Sequence, residues 1–196
     1  INGETINWQS PVKEGDRISL TFDTEDYPNK TIPMGDANLV KPLYEDSHLI
    51  VVNKPEGMKT HGNKPTEIAL LNHVSAYCRQ TCYVVHRLDM ETSGAVLFAK
   101  NPFILPILNR LLEDKMIQRQ YWALTEGKFQ TKKTVYKDKI GRDRHDRRKR
   151  VVDPRKGQSA YTTVTRLKTF EGASLVNCQL KTGRTHQIRV HLSHHG

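Results

Sequence analysis

Four segments of strand length, "QYWALTEG", "KTVYKDKIG", "SAYTTVTRLKTF" and "SLVNCQL", follow one another between residues 120 and 180 with no helical segment between them. Each is rich in β-branched and aromatic residues and ends at Gly, Asp or a charged turn. Parallel neighbours need long crossovers, so strands that succeed one another directly pair antiparallel. Helices are expected only before and after this run. The segment 66–79 has Ile68, Leu71, Val74 and Ala76 at a helical period behind Thr66 as N-cap. The segment 102–117 carries Pro102 and Pro106 in its first turns, where proline is tolerated. Strands without intervening helices beside such helices predict an α+β fold.

Upstream of this core the organisation changes. Residues 1–22 end in the alternating Ile18, Leu20 and Phe22 after a turn at Gly15 and Asp16, which predicts a short closing strand. Residues 23–40 are proline-rich and aperiodic, and read as a linker or an arm lying on the domain that follows. The main domain is expected from 41 to 196. Near its start, Leu49–Val52 reads as a buried strand, followed by a turn in which Lys54 and Gly57 suit an exposed polar rim.

Charge narrows the choice of partners. The 196 residues hold 31 Lys and Arg against 21 Asp and Glu, a formal net charge of +10. Such a surplus favours a polyanion, with nucleic acid foremost, although a basic face also serves solubility. The densest basic stretch is "GRDRHDRRKRVVDPRK", residues 141–156, placed between two strands as an exposed hairpin loop able to grip phosphates. No apolar run approaches the length of a membrane span, so no membrane partner is expected. The start "INGETINWQS" lacks a signal-peptide pattern and three cysteines make no disulfide framework, which together suggest a cytoplasmic protein.

Three short stretches concentrate chemistry. In "VHRLDMETSG", residues 85–94, an extended Val85–Asp89 would put Arg87 and Asp89 on one face and Leu88 on the other. Thr92, Ser93 and Gly94 would then make a constrained turn. Ten residues alone leave a surface ion pair and a functional acid equally open. In "LKTGRTHQIRVHLSHHG", residues 180–196, a turn at Thr182 and Gly183 leads into a helix with Thr185 as N-cap. Ile188 and Leu192 share one face of that helix, beside Arg189. An arginine held there would pair with Asp89 and keep it ionised. His191 and His195 have the spacing of a helical metal pair, but no neighbouring carboxylate or cysteine in sequence completes a ligand set, so no metal is assigned. In "RQYWALTEG", Tyr121 and Trp122 face opposite ways, either as core rings or with one stacking on a base.

Taken together, "LIVVNKPEGMKTHG", "VVHRLDMETSGAVLFAK", "RQYWALTEG" and "LKTGRTHQIRVHL", in this order from residue 49, resemble the RNA pseudouridine synthases of the RluA/RluD type. The resemblance implies a catalytic domain with a mixed, mainly antiparallel central sheet flanked by helices. It implies that residues 1–22 are the remnant of an N-terminal S4-type RNA-binding domain, and that 41–196 lacks the C-terminal strands of the catalytic domain. It further implies a cofactor-free isomerisation: the uracil of a uridine in structured RNA is detached from C1′, turned and rejoined through C5. By motif, Asp89 is the essential aspartate and Arg189 the arginine that pairs with it. Tyr121 is the ring that stacks on the target base. Arg87 fills the space left by the flipped nucleotide, and Ile188 belongs to the apolar pocket. The expected substrate is large-subunit ribosomal RNA, with transfer RNA as the alternative, and the expected state is a monomer.

Two readings from other classes compete. A non-catalytic RNA-binding module would use the same basic face without needing Asp89. A glycoside hydrolase would use Asp89 and Glu91 as its carboxylate pair.

Overall fold

The computed structural model describes residues 1–7, 9–21, 32–146 and 148–196. The chain divides into two compact units, Ile1–Leu105 and Pro106–Gly196. The secondary structure is α+β, and every strand pairing among the described residues is antiparallel.

The first unit is built on a four-stranded sheet from β1 (Pro42–Glu45), β2 (Leu49–Lys54), β3 (Tyr83–Val84) and β4 (Gly94–Ala99), in the order β1-β2-β4-β3. The exposed edge strand β1 opens with Pro42, where a missing N–H is tolerated. The central strand β4 is buried from Val96 to Ala99, which is why it reads as an unbroken apolar run. Strand β2 alternates, and its buried face is Ile50, Val52 and Lys54. Lys54 is therefore inside the protein, not on the rim its turn suggested. The period-2 pattern continues one residue past the apolar run and carries the lysine inward with it.

Helix α1 spans Leu70–Cys78 and begins later than Thr66, because its cap comes from elsewhere. The Asn72 side chain accepts from the Ala69 N–H at 2.9 Å. The Leu70 and Leu71 N–H groups, which have no partner within the helix, donate to the carbonyls of Lys59 and Thr60, each at 3.0 Å. The arm before β1 lies on this helix: the Asn72 amide donates to the Pro33 carbonyl at 2.7 Å, and the Asp36 N–H donates to His73 Nδ1 at 2.8 Å. Residues 17–21 form no strand, and Phe22, like residues 23–31 of the expected linker, lies outside the described residues. Helix α2 (Ile104–Glu113) starts behind Asn101, whose side chain accepts from the N–H groups of Phe103 and Ile104.

The second unit contains a four-stranded sheet of β5 (Arg119–Glu126), β6 (Lys133–Tyr136), β9 (Thr162–Phe170) and β10 (Ala173–Leu180), in the order β5-β10-β9-β6. A separate hairpin joins β7 (Ile140–Arg142) to β8 (Arg150–Val152), so the basic stretch 141–156 is not all loop as expected: it supplies most of two short strands as well as the turn between them. Val164, Val176 and Cys178 form one buried cluster, packed by Tyr121, Ala123, Phe129, Tyr136, Ile188 and Leu192. Helix α3 (Gln187–His194) thus turns Ile188 and Leu192 onto the sheet. Trp122, on the opposite face of β5 from Tyr121, is 76% exposed, so of the two rings only the half-buried Tyr121 packs against the buried cluster.

Candidate active site

The segment "VHRLDMETSG" is a loop rather than a strand, since β3 ends at Val84. Pairing with β4 lasts one residue more, with the Val85 N–H donating to the Leu97 carbonyl at 3.3 Å. The Leu97 N–H then donates to Nε2 of His86 at 3.2 Å, so a side chain replaces the backbone carbonyl and releases the chain from the sheet. Leu88 is buried, Arg87 is exposed and Asp89 is half-buried, but Val85, which strict alternation would put on the face of Arg87, is buried as well, so the period of two expected for a strand is not kept.

Three groups, from the last residue of β2 and the segment that follows it, pin this loop. The buried Thr60 hydroxyl accepts from the Leu88 N–H at 3.1 Å and donates to the Leu88 carbonyl at 3.0 Å. The Gly57 N–H donates to the Met90 carbonyl at 2.8 Å. The Lys54 ammonium donates to the carbonyls of Pro55 (2.9 Å), Met58 (2.6 Å) and Met90 (3.1 Å). Burial pushes the Lys54 pKa down, against the opposing pull of the Glu91 and Asp89 carboxylates. The residues on both sides of Asp89 are therefore fixed, and its own carbonyl closes a turn with the Thr92 N–H at 3.1 Å. Gly94, at φ +127°, supplies a backbone angle that an L side chain rarely adopts and brings the loop back into β4. Beside the loop stands His61, whose pKa is lowered first by burial and second by the Arg87 charge.

Of the residues singled out in the sequence, Arg87 and Asp89 belong to the first unit and Tyr121, Ile188 and Arg189 to the second. In the second unit Tyr121 lies opposite Cys178 in the β5–β10 register and shares a hydrophobic cluster with Ile188. Arg189 follows on the exposed side of α3. The helix is entered differently from the expectation at Thr185: the residue before its first turn is His186, in the left-handed region at φ 56°. Gln187 replaces a conventional cap. Its side-chain oxygen accepts from the Thr182 hydroxyl at 2.8 Å and the Arg184 N–H at 3.0 Å. Its amide donates to the Tyr161 carbonyl and the Thr162 hydroxyl. A Cβ on Gly183 would come within 2.4 Å of Arg119 Nη1, so the glycine lets the guanidinium on β5 lie against the turn.

The β7–β8 hairpin carries eight Lys and Arg against three Asp in residues 141–156, a surplus of five out of the chain's ten. The acids shape the loop. Asp143 accepts from the N–H groups of His145 and Asp146, and Asp146 pairs with Arg148, which lowers both carboxyl pKa values. An open cleft of about 400 Å³ is lined there by residues including Arg142, Arg144 and Arg155. Arg147 lies outside the described residues.

Thr60 and His61 escape a reading based on charge and periodicity, and Lys54, which the alternation of β2 turns inward, escapes one based on charge. Their signal lay in the stretch "NKPEGMKTHG", whose polar residues look like loop but whose partners are in the next motif. Among the described residues, no helix is long and apolar enough to cross a membrane.

Comparison with known proteins adds the family. Residues 48–194 match the family model described as RNA pseudouridylate synthase. The chain is 40% identical over 201 residues to "Uncharacterized RNA pseudouridine synthase YhcT" of Bacillus subtilis, covering 98% of this chain and 65% of that protein. It is 32% identical to "Ribosomal large subunit pseudouridine synthase D" of Borreliella burgdorferi, covering 96% of this chain and 61% of that one. The chain thus spans about two thirds of the length of these relatives. Among solved structures, "Human RNA Pseudouridylate Synthase Domain Containing 4" superposes with a TM-score of 0.65 at 27% identity, covering 79% of this chain and 64% of that one. With the matched region running from before β2 to the end of α3, through both motif-bearing loops, the chain belongs to the RNA pseudouridylate synthase family.

Proposed function

We propose that this chain forms the catalytic part of an enzyme that isomerises uridine to pseudouridine in structured RNA, with Asp89 as the acting group and large-subunit ribosomal RNA as the substrate. The observation that carries the reading is the loop of Asp89. Leu88 is gripped on both backbone groups by Thr60, and Met90 by Lys54 and Gly57, so the backbone that carries the carboxylate is held in a fixed position. Preorganisation of this kind is what a reacting acid needs and what a solvent-facing ion pair does not. Family membership and the names of relatives that act on the ribosomal large subunit support the substrate. The basic hairpin supports a phosphate backbone as partner.

In this reading the target uridine leaves its stack, at a cost of a few kcal/mol, and Arg87 offsets part of it by filling the gap. Tyr121 stacks on the extruded uracil above the apolar surface to which Ile188 contributes. Breaking the N1–C1′ bond builds positive charge on the ribose, and the ionised Asp89 answers it, by bonding to C1′ or by taking a proton from C2′. The uracil turns and C5 bonds to C1′ as the Asp89–C1′ bond breaks, or as the proton taken from C2′ is returned; the C5 proton is released to water and N1 takes one up from water. Atoms balance without a cofactor. The motif resemblance assigns Arg189 as the arginine that partners this aspartate.

The proton leaving C5 gives the test. RNA carrying 5-³H-uridine, either ribosomal or transfer, is incubated with the whole protein, and tritium in water is counted. Wild type is expected to release tritium from the large-subunit RNA and Asp89→Asn to release none. Equal release by both would eliminate the role of Asp89, and release from transfer RNA alone would move the substrate to that class.

A further inference from the structure

Asp138, between β6 and β7, and His194 and His195, at the end of α3, bring a carboxylate oxygen and two imidazole nitrogens within 4.8 Å of one another. We propose that these three side chains form a binding site for a divalent transition-metal ion of the zinc class, made entirely from residues that the isomerisation does not use. Two imidazoles with one carboxylate are a donor set of the kind that binds zinc with one coordination position left to water.

The sequence pointed to a different pair. His191 and His195 have the helical spacing, but both ring nitrogens of His191 are already engaged: Nδ1 lies 2.9 Å from the Thr162 hydroxyl and Nε2 3.1 Å from the Asp138 carbonyl. The direction of these bonds is fixed from the start of α3. The Gln187 amide must donate to Thr162, because its oxygen is occupied by two other donors. Thr162 then gives its proton to Nδ1 of His191, and Nε2–H of His191 is left to donate to the Asp138 carbonyl. His191 is thus a buried strut that holds the backbone of Asp138 rather than a ligand.

The strut leaves the Asp138 carboxylate facing the helix end. His195 Nε2 lies 2.7 Å from its Oδ2, and the His195 ring is stacked on Tyr136 at 4.3 Å between centroids with 9° between planes. Ring orientation is therefore set by packing, the support that metal-bound histidines ordinarily take from their surroundings. An Asp–His ion pair accounts for two of the three groups. It does not account for His194, whose ring meets His195 edge-on at 4.9 Å and brings a third ligand atom to the same place. Ligand bonds near 2.0–2.2 Å would set the donors roughly 3.3 Å apart around a tetrahedral ion. The Asp138–His195 pair needs to open by only about half an ångström to reach that spacing, and the exposed His194 closes the remainder by side-chain rotation.

The probe is zinc chloride, titrated calorimetrically into the whole chain, with cobalt(II) absorption as a second readout of coordination. One saturable site per chain is expected. His194→Ala and Asp138→Ala are each expected to weaken it at least about 100-fold, since even residues supporting a ligand are worth 10–100-fold in affinity. His48→Ala, a surface histidine of the first unit, is expected to leave the titration unchanged. Absence of a saturable site, or a site that survives His194→Ala, overturns the proposal. His194 is exposed on the last turn of α3, so that variant decides the question even if Asp138→Ala fails to fold.

Discussion

The Thr60 hydroxyl bridges both backbone groups of Leu88, accepting from its N–H at 3.1 Å and donating to its carbonyl at 3.0 Å, 28 residues away in sequence. The Thr60 carbonyl in turn accepts the Leu71 N–H in the first turn of α1. A helix start, a threonine and the residue before Asp89 are thereby one hydrogen-bonded unit.

Thr60→Val keeps the shape and removes both bonds, leaving a buried N–H and carbonyl without this partner. A loss of about 2 kcal/mol in stability is expected by urea denaturation. Tritium release is expected to fall by at least tenfold through kcat, with Thr60→Ser restoring most of it. An unchanged kcat in the Val variant would mean that Leu88 holds its place without the threonine.

Lys54 makes a harsher test. Its ammonium serves three carbonyls in a fully buried position. Lys54→Met keeps the stem and strands those acceptors, with an expected cost of about 2–4 kcal/mol, reduced from the sum of the bonds because a buried charge is also removed. Lys54→Arg is expected to rescue little, since a planar fork does not match three carbonyls converging on one point. Thermal unfolding of the two variants measures both effects.

Tyr121 and Trp122 separate by face. Trp122→Ala is expected to change stability by no more than about 0.5 kcal/mol, because the ring is 76% exposed. Tyr121→Ala removes a ring packed on Val164, Val176 and Cys178 and is expected to cost roughly 2 kcal/mol, less than a fully buried aromatic. Tyr121→Phe retains packing and stacking, so its tritium release isolates any role of the hydroxyl.

The part of this architecture that periodicity governs was legible in the sequence. The β-rich second half and the Ile188–Leu192 face of α3 follow from spacing that tracks burial. Lys54 was misplaced on the rim because lysine is rarely buried, although the alternation of Ile50 and Val52 pointed inward. The caps were misread for a related reason. Thr66 and Thr185 have the chemistry of helix starts, but the carbonyls of Lys59 and Thr60 and the side chain of Gln187 do that work. Asp138 beside His195 was invisible, since 57 residues separate them and only the return of α3 onto β6–β7 joins them.

Cys178 gives a pH signature. Burial among Val164, Val176 and Tyr121 pushes its thiol up to about 11 from 9.0. The folded pKa is raised, so the stabilisation is complete below pH 9 and fades as pH climbs toward 11, where the unfolded chain ionises and the native chain does not. Two pH units at about 1.4 kcal/mol each cap the loss at roughly 3 kcal/mol. Denaturation series between pH 8 and 11 are expected to show a steeper decline for wild type than for Cys178→Ala, and parallel curves would remove the thiol as the cause.

The hairpin is tested by salt. Arg144 and Arg155 line the same open cleft on the β7–β8 hairpin, remote in sequence from Asp89 and Tyr121. Each phosphate contact contributes about 0.7–0.9 to the slope of log K against log salt. Arg144→Ala with Arg155→Ala is therefore expected to flatten that slope by about 1.5 and to weaken RNA binding at low salt, while kcat at saturating RNA stays within about twofold. Filter binding across a salt series reads the slope directly. A slope equal to wild type would leave the hairpin a solvated loop, and the basic surplus would then have to act from elsewhere on the chain.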